Sequence, residues 1–291
     1  MNGEINRSSF ERGLQRVVSA LEPYLGEIVI IGGWVPYLYR QYGGLSTWHG
    51  RLSMTQEVDV LVTSEIPPDG RDTIAETLRT AGFVATANTS AAAVWTNDAA
   101  SGEKIEFLVP HAGTSRTLGR IVGVMQQPGV GAVALDRLDL LQRHTKRLRI
   151  PALDAAGSTR LVEVRVPTLG AYVLNKAATF QDRRVMEGDA VYPKRAKDLV
   201  YLHDVMGAGA DVEALVHHDL VAMSKPGRHV VSKAISSLDA VLKSVAGVEE
   251  ASREVAERDG MTREAADAQI RGRLSDLLDV LREVSSRRRR R

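Results

Sequence analysis

The stretch Met54-Thr-Gln-Glu-Val-Asp-Val-Leu-Val-Thr63 sets two carboxylates, Glu57 and Asp59, among valines and a leucine. The β-branched residues predict a strand, and side chains alternate faces along a strand. Glu57 and Asp59 therefore share one face, while Val58, Val60 and Val62 share the other. Two like charges this close repel, so their face must either point to water or hold a cation between the oxygens. Magnesium, a hard ion, is commonly held by one or two carboxylates plus substrate phosphates.

Upstream, Glu27 to Ile31 is a short β-branched run that ends at Gly32-Gly33, and Trp34 to about Tyr42 follows as a helix. A glycine turn between strand and helix lets the backbone approach a ligand closely, and a helix N-terminus favours phosphate. Downstream, Lys104-Ile-Glu-Phe-Leu-Val109 carries a third acid, Glu106, inside another apolar strand. A neighbouring strand could bring Glu106 beside the first pair. Three acids on adjacent strands make a metal cage, in which one can act as general base for an attacking hydroxyl.

The rest of the chain gives the frame. Helices are expected at Ser9 to Leu21 and at Arg71 to Ala81, and short extended pieces at Phe83 to Ala87 and Ala93 to Thr96. Residues 111–166 read as strands, the last being Leu161 to Val166 before Pro167. From Thr168 onward the pattern is helical: Thr168 to Phe180, Lys194 to Val205, Asp211 to His218, Val230 to Val245 and Thr262 to Val284. The fold class is α+β, with an α/β domain over 1–166, a mixed sheet flanked by helices, then a helical domain over 167–286 and a disordered arginine tail over 287–291.

At 291 residues, with 44% hydrophobic and 25% charged residues, the composition is that of a soluble globular protein. There is no cysteine, so disulfides, thiolate nucleophiles and Cys-based zinc sites are excluded. No apolar run approaches the ~20 residues that cross a bilayer, and the start lacks a secretory pattern, so a cytoplasmic protein is expected. Arg287 to Arg291 outweigh the formal net charge of +2, leaving the remainder at −3. Such a run either holds phosphates or is a solvated end. No P-loop, G-x-S-x-G or HExxH pattern occurs, and His217-His218 reads as surface.

Ile31-Gly32-Gly33, Glu57-Val58-Asp59-Val60 and Ile105-Glu106-Phe107 together resemble the nucleotidyltransferase (polymerase-β-like) superfamily. Its pattern is hG[GS], then [DE]h[DE]h, then a third acid on a later strand. Pro167 to Lys176 and Tyr192 to Leu202 look like the AbiEii-type, toxin-like branch. The resemblance implies that Gly32 and Gly33 cradle triphosphate and that Glu57, Asp59 and Glu106 hold Mg²⁺ or Mn²⁺. It implies too that Lys176 contacts the nucleotide phosphates, as a lysine can, and that Asp198 is a further active-site acid. An Asp in the first turns of a helix also suits the macrodipole without any such role.

Arg183, Arg184, Lys194, Arg195 and Lys197 form a basic band, with Arg183 the candidate nucleotide contact; the band holds triphosphate or RNA, or is a solvated loop. The implied activity moves a nucleoside monophosphate from an NTP to an acceptor: RNA or tRNA, a protein hydroxyl or a small molecule. Basic patches favour RNA, and a toxin would have an antitoxin partner. The alternative is an inactive nucleotidyltransferase-fold protein that binds nucleic acid or regulates. Two features depart from the pattern. The gap from Gly33 to Glu57 is 24 positions, so an insertion around Gly43 to Ser53 loops out. The first acid is Glu57 where Asp is commoner, and the longer side chain could shift a metal.

Overall fold

The computed structural model describes residues 7–45, 47–53, 55–67, 69–86, 91–97, 103–111, 118–153, 157–181, 184–187, 190–193, 195–223 and 228–289. The chain divides into two units. Met1–Leu38 with Met54–Pro167 make the first, and Tyr39–Ser53 with Thr168–Arg291 the second. The expectation of one boundary near Pro167 missed that Tyr39–Ser53 belongs with the helical unit.

The first unit is built on a mixed sheet. Strands β1 (Val29–Ile31), β2 (Glu57–Leu61), β3 (Val84–Ala85), β5 (Val94–Asn97) and β6 (Glu103–Pro110) lie in the order β1-β2-β6-β5-β3. β1 runs antiparallel to β2, β2 parallel to β6, and β5 antiparallel to β6. β8 (Gly129–Leu135) joins β6 in parallel and also pairs with β4 (Ala91–Ala92) and β7 (Ile121–Gly123). One face of β2 and β6 buries Val58, Val60, Ile105 and Phe107. Burying each such side chain contributes about 1.5–3 kcal/mol, which fixes the register and turns the acids to the other face.

Helices α1 (Arg7–Ala20) and α3 (Ile74–Thr80) pack in this unit, α1 through Leu14, Val17 and Val18. α3 starts at a capping box: Thr73 Oγ1 accepts from Glu76 N at 3.3 Å, and Thr73 N donates to Glu76 Oε2 at 2.7 Å. Strands β9 (Thr145–Leu153) and β10 (Thr159–Pro167) form an antiparallel pair. Between β8 and β9, where only strands were expected, stands α4 (Leu138–Arg143). Its first residue follows Arg137 at φ +61°, and Leu138, Leu140 and Leu141 are buried.

The second unit centres on α5 (Leu169–Thr179), all of whose residues are buried. Thr168 caps it, accepting from Ala171 N at 3.4 Å. α6 (Arg195–Met206), α7 (Ala210–Ala222) and α8 (Arg228–Lys243) pack on it, and α10 (Arg263–Arg289) packs on α6, α8 and α9 (Glu249–Asp259). Gly170 sits where α5 meets α7. A Cβ there would fall 2.5 Å from Asp219 Cβ and 2.9 Å from Leu220 N, so only glycine permits the approach. β11 (Arg184–Glu187) and β12 (Ala190–Pro193) form a hairpin where sequence suggested a loop.

α2 (Trp34–Tyr42) spans the boundary between the units in sequence. After it, the inserted segment leaves the sheet, as its length requires, and is tied to the helical unit. His49 N donates to Ala208 O at 2.7 Å, Ser53 N to Asp204 Oδ2 at 2.9 Å, and Ser53 Oγ to Glu254 Oε1 at 3.0 Å. Arg51 Nη1 donates to Arg258 O at 2.7 Å. α10 runs into the arginine run as far as Arg289, and Arg287 meets Glu283 at 2.5 Å; Arg290 and Arg291 lie outside the described residues.

Candidate active site

The strand registers put the three acids together. Asp59 stands opposite Glu106 across the parallel β2–β6 pair, and Glu57 stands opposite Lys104. One oxygen from each of Glu57, Asp59 and Glu106 lies within 4.8 Å of the others, and all three residues are half-buried. Burial, then the charges of Glu57 and Asp59 and a hydrogen bond with Glu57, push Glu106 up to about 7. Three carboxylates form a hard-oxygen donor set. Their mutual repulsion, which adds to burial in raising the affinity of Glu106 for a proton, is what a divalent cation would relieve. Two ligands at ~2.1 Å from one Mg²⁺ stand at most about 4.2 Å apart, close to the spacing present, so the residues fit the metal.

Backbone devices hold this face. Trp34 Nε1 donates to Glu57 O at 3.1 Å. Gly32 adopts φ +71°, and a Cβ on it would lie 1.8 Å from Asp59 Oδ2 and 2.7 Å from Asp59 Cγ. The first glycine of the turn is thus required twice, by its backbone angle and by the Asp59 carboxylate against it. Gly33 is a buried turn residue before α2.

Sequence reading missed Lys104. Its Nζ lies 2.8 Å from Glu57 Oε1, so a cation already sits beside the acids. Burial works against its charge, but the bond to Glu57 and the charges of Glu57, Glu106 and Asp59 outweigh that and raise its affinity for the proton. The signal was present: once E-h-D and K-h-E are aligned in parallel with Asp59 against Glu106, Lys104 must face Glu57.

In the helical unit, Lys176 in the last turn of α5 makes an ion pair with Asp198 in the first turn of α6, and both side chains are buried. The ammonium also faces the rings of Tyr201 and Tyr172, at 5.0 and 5.7 Å from their centroids. The two residues linked by family resemblance are therefore brought together. Of the basic band, Lys197 lies 5.9 Å over the Tyr201 ring. Arg183, Lys194 and the side chains of Arg184 and Arg195 lie outside the described residues.

No curated protein matches the chain. Among solved structures it is similar to MenT4, a nucleotidyltransferase toxin from Mycobacterium tuberculosis H37Rv, at 15% identity over 95% of this chain and 86% of that one, with a TM-score of 0.39. A family model described as nucleotidyltransferase matches residues 12–223. That match spans most of the chain, including all three acids and the Lys176–Asp198 pair, and the chain belongs to the nucleotidyltransferase family of transferase enzymes.

Proposed function

We propose that this enzyme transfers a nucleoside monophosphate from an NTP to an acceptor, with Mg²⁺ or Mn²⁺ held by Glu57, Asp59 and Glu106. The observation that carries the reading is the set of three carboxylates within 4.8 Å on one face of two parallel strands, seated against Gly32. The metal, when bound, offsets negative charge on the phosphates and the attacking oxygen. The acceptor oxygen attacks the α-phosphorus, the bond to the β-phosphate oxygen breaks, and pyrophosphate leaves. Glu106 completes the carboxylate set and helps to take the proton from the acceptor hydroxyl. Gly32 and Gly33 approach the phosphates by backbone. Lys176, oriented by Asp198, neutralises phosphate charge.

RNA or tRNA is the favoured acceptor, on account of the basic residues from Arg183 to Lys197, ahead of a protein hydroxyl or a small molecule. A toxin with a partner antitoxin, acting in the cytoplasm where NTP is abundant, is the biological setting we propose. No helix among the described residues is long and apolar enough to cross a membrane. The test is labelled NTP, Mg²⁺ and cell extract with the wild type and Asp59→Ala. Labelling by the wild type and its loss in the variant are expected; equal labelling by both would overturn the assignment.

One observation favours a second reading, an inactive binding or regulatory protein: Lys104 holds Glu57 at 2.8 Å. Thermal unfolding with MgATP and MgCTP separates the two, since a ligand of the native state raises Tm. A shift supports the enzyme, and none with any nucleotide supports the binding module.

A further inference from the structure

The helical unit contains a cavity of about 300 Å³, walled on one side by the inserted segment through His49 to Arg51 and on the others by α6, α9 and α10. Three arginines line it, Arg51, Arg258 and Arg273, against two carboxylates, Asp204 and Asp259. Arg258 engages both acids: Nη1 meets Asp204 Oδ2 at 2.8 Å, while Nε and Nη2 take the two oxygens of Asp259 at 2.9 and 3.0 Å. Ser53 N also donates to Asp204. Both oxygens of Asp259 and Oδ2 of Asp204 are thereby occupied, while Asp204 Oδ1 is buried without a hydrogen-bond partner.

Arg273 is different. Its Nη1 donates to His203 O at 3.1 Å and lies 2.7 Å from His203 Nε2, a ring that is itself buried. Burial, with Arg273 and Arg258 beside it, lowers His203 to about 3, so the ring accepts rather than repels. Capping the end of α6 accounts for Nη1. Among the described residues no carboxylate lies within ion-pair distance of Arg273, and no acceptor takes its Nε or Nη2. Its guanidinium also lies where a Cβ on Gly207 would be, 1.8 Å from Cζ, so the helix end is shaped to admit it.

We propose that this cavity binds a phosphoryl group, with Arg273 and Arg51 as its cationic partners. A planar guanidinium with two free N–H edges matches phosphate geometry bidentately. The volume, at the low end of the ~300–1,000 Å³ usual for ligand sites, leaves room for more than the bare ion. The phosphate is carried either by a free nucleotide or by an RNA chain. The inference does not depend on the function proposed above, because none of its residues is among the acids of the sheet.

The test is calorimetric titration and thermal unfolding of the full chain in EDTA with inorganic phosphate, AMP and a short RNA oligonucleotide. Wild type and Asp59→Ala should bind alike. Arg273→Gln should lose binding at least tenfold, Arg273→Lys should keep part of it, and Arg51→Ala, at an exposed position, should weaken it about threefold without affecting the fold. AMP binding without RNA binding identifies a free ligand, and tighter RNA binding identifies a chain phosphate; either supports the site. No binding by any of the three probes, or binding that survives Arg273→Gln and Arg51→Ala but vanishes in Asp59→Ala, would overturn it.

Discussion

The two charged clusters on either side of residue 167 are built on opposite rules. On the sheet, Glu57, Asp59 and Glu106 gather like charges, half-buried, with one lysine beside them. In the helical unit, Lys176 and Asp198 pair opposite charges at 4% and 3% side-chain exposure, with aromatic rings around the ammonium. A self-balanced buried pair has no electrostatic need for a ligand; an unbalanced, accessible set does. The sheet acids thus draw a cation directly, whereas Lys176 serves a phosphate only by sharing its charge with Asp198.

The comparison can be broken most sharply at the buried pair. Lys176→Met leaves the Asp198 carboxylate buried without its cation, and a loss of about 3–5 kcal/mol in unfolding free energy is expected. Lys176→Met with Asp198→Leu should recover much of it. A single variant that unfolds at the same urea midpoint as the wild type would show the pair to be free to serve a ligand. Next in size, Gly32→Ala forces a positive φ on an L-residue, at about 1–2 kcal/mol, and drives its methyl into Asp59. Both Tm and Mn²⁺ affinity should fall, whereas a drop in Tm alone would mean that Asp59 does not bind metal.

Lys104→Met should tighten Mn²⁺ binding about tenfold, which is about 1.4 kcal/mol, because the ammonium and the metal compete for Glu57. Electron paramagnetic titration of free Mn²⁺ reads this directly, and weaker binding would make Lys104 a positioning residue instead. The effect of pH is graded and acts on the same acids. The proton competes with the cation on Glu106, so metal affinity should fall below about pH 7 by up to tenfold per unit. Without metal the sign reverses. A carboxyl raised in the folded state contributes stability that is fully present below its unfolded value near 4.5 and is lost as pH rises through about 7. Urea unfolding at pH 5 and 8, with and without Mn²⁺, tests both signs.

Much of the sheet was legible because alternation is a local rule. Val58 and Val60 are buried and Glu57 and Asp59 share a face, as a period of two requires. The strand, glycine turn and helix around Gly32-Gly33 were legible for the same reason. What sequence left hidden depends on pairing partners far apart. Lys104 beside Glu57 needs the parallel register of β2 and β6. α9 escaped notice because only Ala251, Ser252 and Val255 of its eleven residues are buried, which is too thin a stripe to read. The phosphate cavity joins residues from 49 to 273, and no window of sequence contains both. His203 carries no local signal, because its burial arises only where α6 and α10 pack together.

The placement of Tyr39–Ser53 has a consequence for synthesis of the chain. The helical unit is discontinuous, and the bond from Ser53 to Asp204 closes over 151 residues. On a ribosome making about 5–20 residues per second, the segment emerges roughly eight to thirty seconds before its partners exist. Until α6 is complete, the stretch that leads directly into the acidic strand has nothing to anchor it, so the second unit cannot close before most of the protein has been made.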